Sequence, residues 1–161
     1  MQHTLSILVE NKPGVLSRVA GLFSGRGFNI ESLSVAETID PTVSRMTIVT
    51  RGNDQIIEQI IKQLNKLINV IKVVDFINGD FVNREMALIK VTVTDANRSE
   101  LLNIVDIFRG KVVDVSTDSY VVEVTGDENK INAIINLFKP MGIKEVARTG
   151  KVAMVRGNKK K

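Results

Sequence analysis

Apolar residues alternate with polar ones from Thr4 to Glu10, with Leu5, Ile7 and Val9 on one side, and this period of two predicts a strand. Beyond Pro13 the period lengthens. Val15, Leu16, Val19, Leu22 and Phe23 share one face at helical spacing, which predicts a helix with Pro13 at its first position and left-handed glycines, Gly25 and Gly27, at its end. Phe28 to Thr38 predicts a second strand whose apolar residues change parity, Phe28 and Ile30 giving way to Leu33 and Val35, as a bulge near Glu31 and Ser32 requires. Pro41 marks a turn, Val43 to Arg51 a third strand. Asn53 or Asp54 then caps a helix carrying Ile56, Ile57, Ile60, Leu64 and Leu67, and Val70 to Phe76 predicts a fourth strand.

The same order recurs after Asn78 and Gly79: strand Met86 to Val93, helix Asn97 to Arg109, strands Lys111 to Thr117 and Tyr120 to Thr125, helix Glu128 to Lys139, strand Ile143 to Thr149. Asp95 or Asn97 is the expected cap of the third helix, with Glu100 completing a capping box, and Gly110 its expected end. The fold class is therefore α+β, two ferredoxin-like βαββαβ domains spanning residues 1–77 and 78–161, joined near Ile77 to Arg84. In the first domain, Val43, Thr47 and Val49 point to the opposite side of their strand from Met46 and Ile48. The sheet face without helices is thus partly apolar and is expected to find a partner.

Composition narrows the function classes. The absence of cysteine excludes disulfides and thiolate metal sites, and points to a reducing, cytoplasmic setting. No apolar run approaches the length of a membrane span. The net charge of +4 is concentrated at the C-terminus: of 22 Lys and Arg, six are Arg148, Lys151, Arg156, Lys159, Lys160 and Lys161, and the remaining 16 face 18 acids. The body carries no basic surface for nucleic acid, and the tail reads as a mobile end.

The candidate chemistry lies in Asn11, Lys12, Pro13 and Gly14, where the first strand turns into the first helix. Unpaired N–H groups at a helix start, together with the positive end of its dipole, hold a carboxylate without any charged side chain. Gly14 leaves these donors uncrowded, and Asn11 offers an amide oxygen to an ammonium group, so the corner suits an α-amino acid. A tight structural turn is the competing explanation of Pro13 and Gly14. Asn29, polar among apolar neighbours, is either a solvated edge residue or a contact from a facing subunit. Sliding the sequence by 84 positions sets Asp95 on Asn11, Asn97 on Pro13 and Arg98 on Gly14, so one such site per chain is expected.

Catalytic constellations are missing. His3 is expected on the surface at a chain end, and Asp127 and Glu128 serve the dipole of the helix they begin. An acylphosphatase-like phosphate loop at Gly14, Val15 and Arg18 is disfavoured, because Pro13 removes a donor and Arg18 is expected to point into solvent. RNA recognition on the open sheet would need stacking aromatics, and Ser44 to Arg51 has none. A stand-alone sensor acting on transcription would need a DNA-binding helix pair, for which no segment is left.

The stretch VENKPGVLSRVAGLFSGRGFNIESLSVAETIDPTVSRMTIV, with REMALIKV opening the second domain, resembles the small regulatory subunit of acetohydroxyacid (acetolactate) synthase over nearly the whole chain. The resemblance implies that the first domain is an ACT domain, which forms a homodimer by pairing side by side and binds an amino acid at the interface. It places Asn11, Gly14, Val15 and Leu16 opposite Asn29 and Ile30 of the partner subunit. It further implies a non-catalytic role in the synthesis of valine, leucine and isoleucine: activation of a large catalytic subunit, which holds thiamine diphosphate, Mg and FAD, and feedback inhibition by a branched-chain amino acid, above all valine.

Overall fold

The computed structural model describes residues 1–77 and 81–157. The expected linker falls in part on residues 78–80, and Lys159 to Lys161 also lie outside the described residues. Two compact units result, Met1–Val82 with the segment returning from Lys151, and Asn83–Gly150. The first runs β1 (Gln2–Glu10), α1 (Val15–Ser24), β2 (Ile30–Glu37), β3 (Val43–Arg51), α2 (Asp54–Asn65) and β4 (Val70–Asp75). Its sheet has the order β2-β3-β1-β4, all neighbours antiparallel.

Periodicity explains which face is covered. Leu5, Ile7 and Val9 alternate inward from β1 and bury with Val19 and Phe23 of α1 and Ile57, Ile60 and Leu64 of α2 in one core. The parity change in β2 is real: the register shifts between Ile30 and Ser32. Asn53 caps α2, its side chain accepting from Ile56 N at 2.9 Å.

The second unit repeats the order with β5 (Phe81–Thr92, its first two residues in the first unit), α3 (Arg98–Ile107), β6 (Lys111–Val115), β7 (Ser119–Gly126), α4 (Glu128–Phe138) and β8 (Ile143–Arg148). Its strand order is β6-β7-β5-β8. Ile89, Val91, Leu101, Val122, Ile131 and Phe138 centre its core.

Several expected boundaries move for identifiable reasons. Pro13 precedes the helix instead of opening it, because Gly14, at φ 83°, is the residue that turns the chain into α1. Gly25 keeps a right-handed φ of −63° and closes the helix through its N–H on Gly21 O, so Gly27, at φ 71°, alone supplies the left-handed step. Asn97 caps no donor of α3, since its amide closes the preceding turn, accepting from Thr94 N at 2.8 Å and donating to Thr92 O at 3.1 Å. Past the end of α3 the left-handed residue is Arg109, at φ 54°. Gly110 serves close approach instead, since a Cβ there would stand 3.0 Å from Glu123 O.

The C-terminal segment departs most from expectation. Residues Val152–Val155 form a strand, β9, and Lys151 N donates to Ser32 Oγ at 3.2 Å. Met154 lines clefts with Ser6, Arg45 and Thr47 on the helix-free face of the first sheet. The partner that this face was expected to find includes the chain's own end.

Arg109→Gly relieves a side chain from the left-handed region and is expected to raise stability by about 0.5–1 kcal/mol. Urea unfolding measures it, and an unchanged or lowered midpoint would contradict the assignment of strain to Arg109.

Candidate functional site

The turn from β1 to α1 is held from outside its own segment. Asn11 N donates to Thr42 O at 2.8 Å. The Asn11 side chain donates through Nδ2 to Pro41 O at 2.9 Å and to Glu37 Oε1 at 3.2 Å, which ties the corner to the end of β2. Both bonds use Nδ2, so Oδ1 remains an available acceptor.

Gly14 stands at the N-cap with no side chain to satisfy the helix, and no acid occupies the first turn. A Cβ built on Gly14 would meet no heavy atom within 4 Å, so the space before the helix is open. Arg18 N reaches back to Gly14 O at 3.1 Å. The N–H groups of Leu16 and Ser17 have no hydrogen-bond partner among the described residues. They form the positive end of a ten-residue helix, with a free amide oxygen nearby in sequence.

Beneath the corner runs a polar network. Arg18 Nη1 donates to Asn69 Oδ1 at 2.7 Å, Asn69 Nδ2 donates to Glu10 Oε2 at 3.0 Å, and Lys12 Nζ lies 2.9 Å from the same oxygen. Glu10 N also donates to Asn69 O at 2.8 Å. Arg18, exposed as expected, is also bound across the corner through Asn69. Its bonded Lys12, then Asn69, hold the Glu10 carboxyl below its ordinary range. The network was invisible in the sequence because Asn69 stands 59 residues from Glu10; its one signal was an amide where the apolar pattern of β4 begins.

Of the residues singled out in sequence, Asn11, Gly14, Val15 and Leu16 come together at this corner. Val15 is buried in the core, so only its backbone faces outward, whereas Leu16 exposes 42% of its surface. Asn29 is exposed, with its carbonyl accepting from Thr50 Oγ1 at 2.7 Å, and Ile30 packs partly on the core. Asn29 precedes β2 and Ile30 opens it, while the corner adjoins its end at Glu37. Eight extended residues separate the two places by about 25 Å within one chain.

The second unit presents a different corner. Asn97, and not Arg98, takes the N-cap place that Gly14 holds in the first, and Arg98 Nη1 lies 3.0 Å from Asp95 Oδ1. Side chains thus fill the turn. His3, expected on the surface, is buried in β1 instead, with Nδ1 3.1 Å from Asp75 Oδ2 and Nε2 3.3 Å from Asp54 Oδ1, the latter close but not aligned as a hydrogen bond. It joins the start of β1 to β4 and α2. No group of metal-ligating side chains and no helix long and apolar enough to cross a membrane occurs among the described residues.

Comparison with known proteins agrees with this architecture. The profile of a family described as AHAS small subunit-like ACT domain matches residues 5–72, and that of the small subunit of acetolactate synthase matches residues 84–157. The chain is 59% identical to a probable acetolactate synthase small subunit of Archaeoglobus fulgidus, covering 99% of this chain and 100% of that one. It is 57% identical to the acetolactate synthase small subunit of Aquifex aeolicus, over 96% of this chain and 81% of the relative. The crystal structure of the acetolactate synthase small subunit from Thermotoga maritima superposes with a TM-score of 0.89 at 48% identity, covering 98% of this chain and 99% of that one.

The lowered pKa of Glu10 sets the sign of an acid effect. A carboxyl whose folded value is depressed contributes stability above its unfolded pKa and loses it as pH falls through the folded value. Acid unfolding of the wild type is expected to steepen below about pH 4.3, the ordinary Glu value, and Glu10→Gln to flatten that limb. Fluorescence-detected or circular-dichroism titrations of both proteins check this, and superimposable acid limbs would contradict it.

Proposed function

Because the chain belongs to the acetolactate synthase small-subunit family, we propose that it is the non-catalytic regulatory subunit of that enzyme, binding a branched-chain amino acid at the β1–α1 corner. The carrying observation is the bare start of α1: unpaired N–H groups of Leu16 and Ser17 for the carboxylate, and Asn11 Oδ1 for the ammonium group. The exposed Leu16 supplies an apolar surface for an aliphatic side chain.

The reading includes a homodimer through the first domain, for which the edge of the sheet offers a surface. β2 is an edge strand, and Val35 on it is 42% exposed. Two β2 strands paired antiparallel about a two-fold axis would set the Asn29 and Ile30 of one subunit beside the Gly14 corner of the other, which their opposite placement along β2 requires. Each site would then be shared by two subunits, and two would form per dimer.

The partner is the large catalytic subunit, where thiamine diphosphate, Mg and FAD reside. This chain raises that subunit's activity and withdraws the increase when valine binds. A shared site acts on activity by favouring one dimer arrangement over another, and a coupling of about 1–3 kcal/mol is sufficient.

Isothermal titration of the dimer with valine, leucine and isoleucine tests the reading, with inhibition of the reconstituted enzyme measured alongside. Gly14→Asp sets a carboxylate beside the ligand's own and is expected to weaken binding by about tenfold or more. Gly14→Asn imposes the same left-handed backbone and similar bulk without the charge, and is expected to cost less. Equal losses would assign the effect to the turn itself. Asn29→His is expected to weaken binding as well, and unchanged valine sensitivity would remove Asn29 from the site.

A further inference from the structure

The helix-free face of the first sheet carries cations that the regulatory reading does not use. Arg45 on β3 is half-buried, and its Nη1 donates to the hydroxyl of Ser6, itself 3% exposed, at 3.1 Å. Lys72 on β4 lines the same cleft. Neither has a carboxylate within ion-pair distance among the described residues. A guanidinium offers five N–H donors, and one hydroxyl partner leaves others accessible to an anionic ligand.

Around these cations the cleft is apolar. Val74 and Phe76 line it beside β1, and Met154 of β9, itself 62% exposed, stands at its rim. The space within it is about 180 Å³. That is well below the several hundred Å³ of sites for larger ligands, so a nucleotide does not fit. A methionine at the rim adapts to small changes in the shape of an occupant. A second groove of about 670 Å³ shares both Arg45 and Met154 with the first; its carboxylate, Glu37, accepts from Asn11.

We propose that the cleft between β9 and the helix-free sheet face is a second small-molecule site, which binds a monocarboxylate with a short aliphatic body. The carboxylate meets Arg45 and Lys72, and the aliphatic part lies between Phe76, Val74 and Met154. Binding there bridges β9 to β3 and β4, so an occupant favours the docked position of the C-terminal strand. The site shares no residue with the β1–α1 corner, and it stands whether or not that corner binds an amino acid.

The full chain labelled with [methyl-13C]methionine tests the proposal, with the Met154 resonance assigned through Met154→Leu. Titrations use isobutyrate, its neutral analogue isobutyramide and inorganic phosphate, all in the Gly14→Asp background so that the corner does not contribute. A saturable shift of the Met154 methyl with isobutyrate and none with isobutyramide is expected. Lys72→Gln and Arg45→Gln are each expected to weaken isobutyrate by about tenfold, as loss of a charge-assisted bond predicts. Lys72 is exposed, so Lys72→Gln remains decisive should Arg45→Gln fail to fold. No saturable shift, equal response to isobutyramide, or affinity unchanged in the variants would overturn the proposal. Phosphate binding without isobutyrate binding would overturn it too, reducing the cleft to a general oxyanion site.

Discussion

One backbone torsion governs the corner, the φ of 83° at Gly14. It lets the chain leave β1 and enter α1 with no side chain at the N-cap, and so leaves two helix donors open to solvent instead of closing them with a serine or aspartate. Elsewhere in the same chain Asn53 and Asp127 each satisfy such a donor with their own oxygen. The difference is not one of helix quality. A cap makes a helix start self-sufficient, and its omission at α1 leaves a polar demand that only water or a ligand meets.

That demand is useful only if the donors stay in place, and long-range contacts hold them there. Asn11 is tied to Glu37 and Pro41, and the Glu10–Asn69–Arg18 chain braces the strand against the loop before β4. The donors therefore belong to a preorganised surface. The second unit shows the same topology spent differently. There Asn97 and the Asp95–Arg98 pair fill the turn, so a shared βαββαβ plan does not carry a shared open helix start.

Much of this was legible in the sequence, since period and punctuation are local. The alternation of β1, the helical stripe of α1, the parity change at Glu31 and Ser32 and the cap at Asn53 depend on neighbours a few residues away. The misreadings share a cause. Gly25 and Gly110 look like left-handed stops, but one is held right-handed by its bond to Gly21 and the other is needed where β6 approaches β7. Asn97 has the spacing of a capping box, yet Thr92 and Thr94 compete for its amide. His3 and the C-terminal segment were misplaced for the plainest reason: their partners, Asp54, Asp75 and Ser32, lie far along the chain, and no local pattern announces them. At the corner the donors were legible, whereas the residues that brace them were not.

The return of β9 to the first unit reaches beyond packing. A ribosome releases residues 1–77 long before Val152, so the first unit emerges with Ser6, Arg45 and Thr47 uncovered and gains that cover only after the second has been synthesised. A nascent or prematurely terminated chain thus displays a sheet face that the finished protein partly hides. The last described strand is therefore a part of the first unit, and its arrival alters the surface of a domain whose other strands were made long before it.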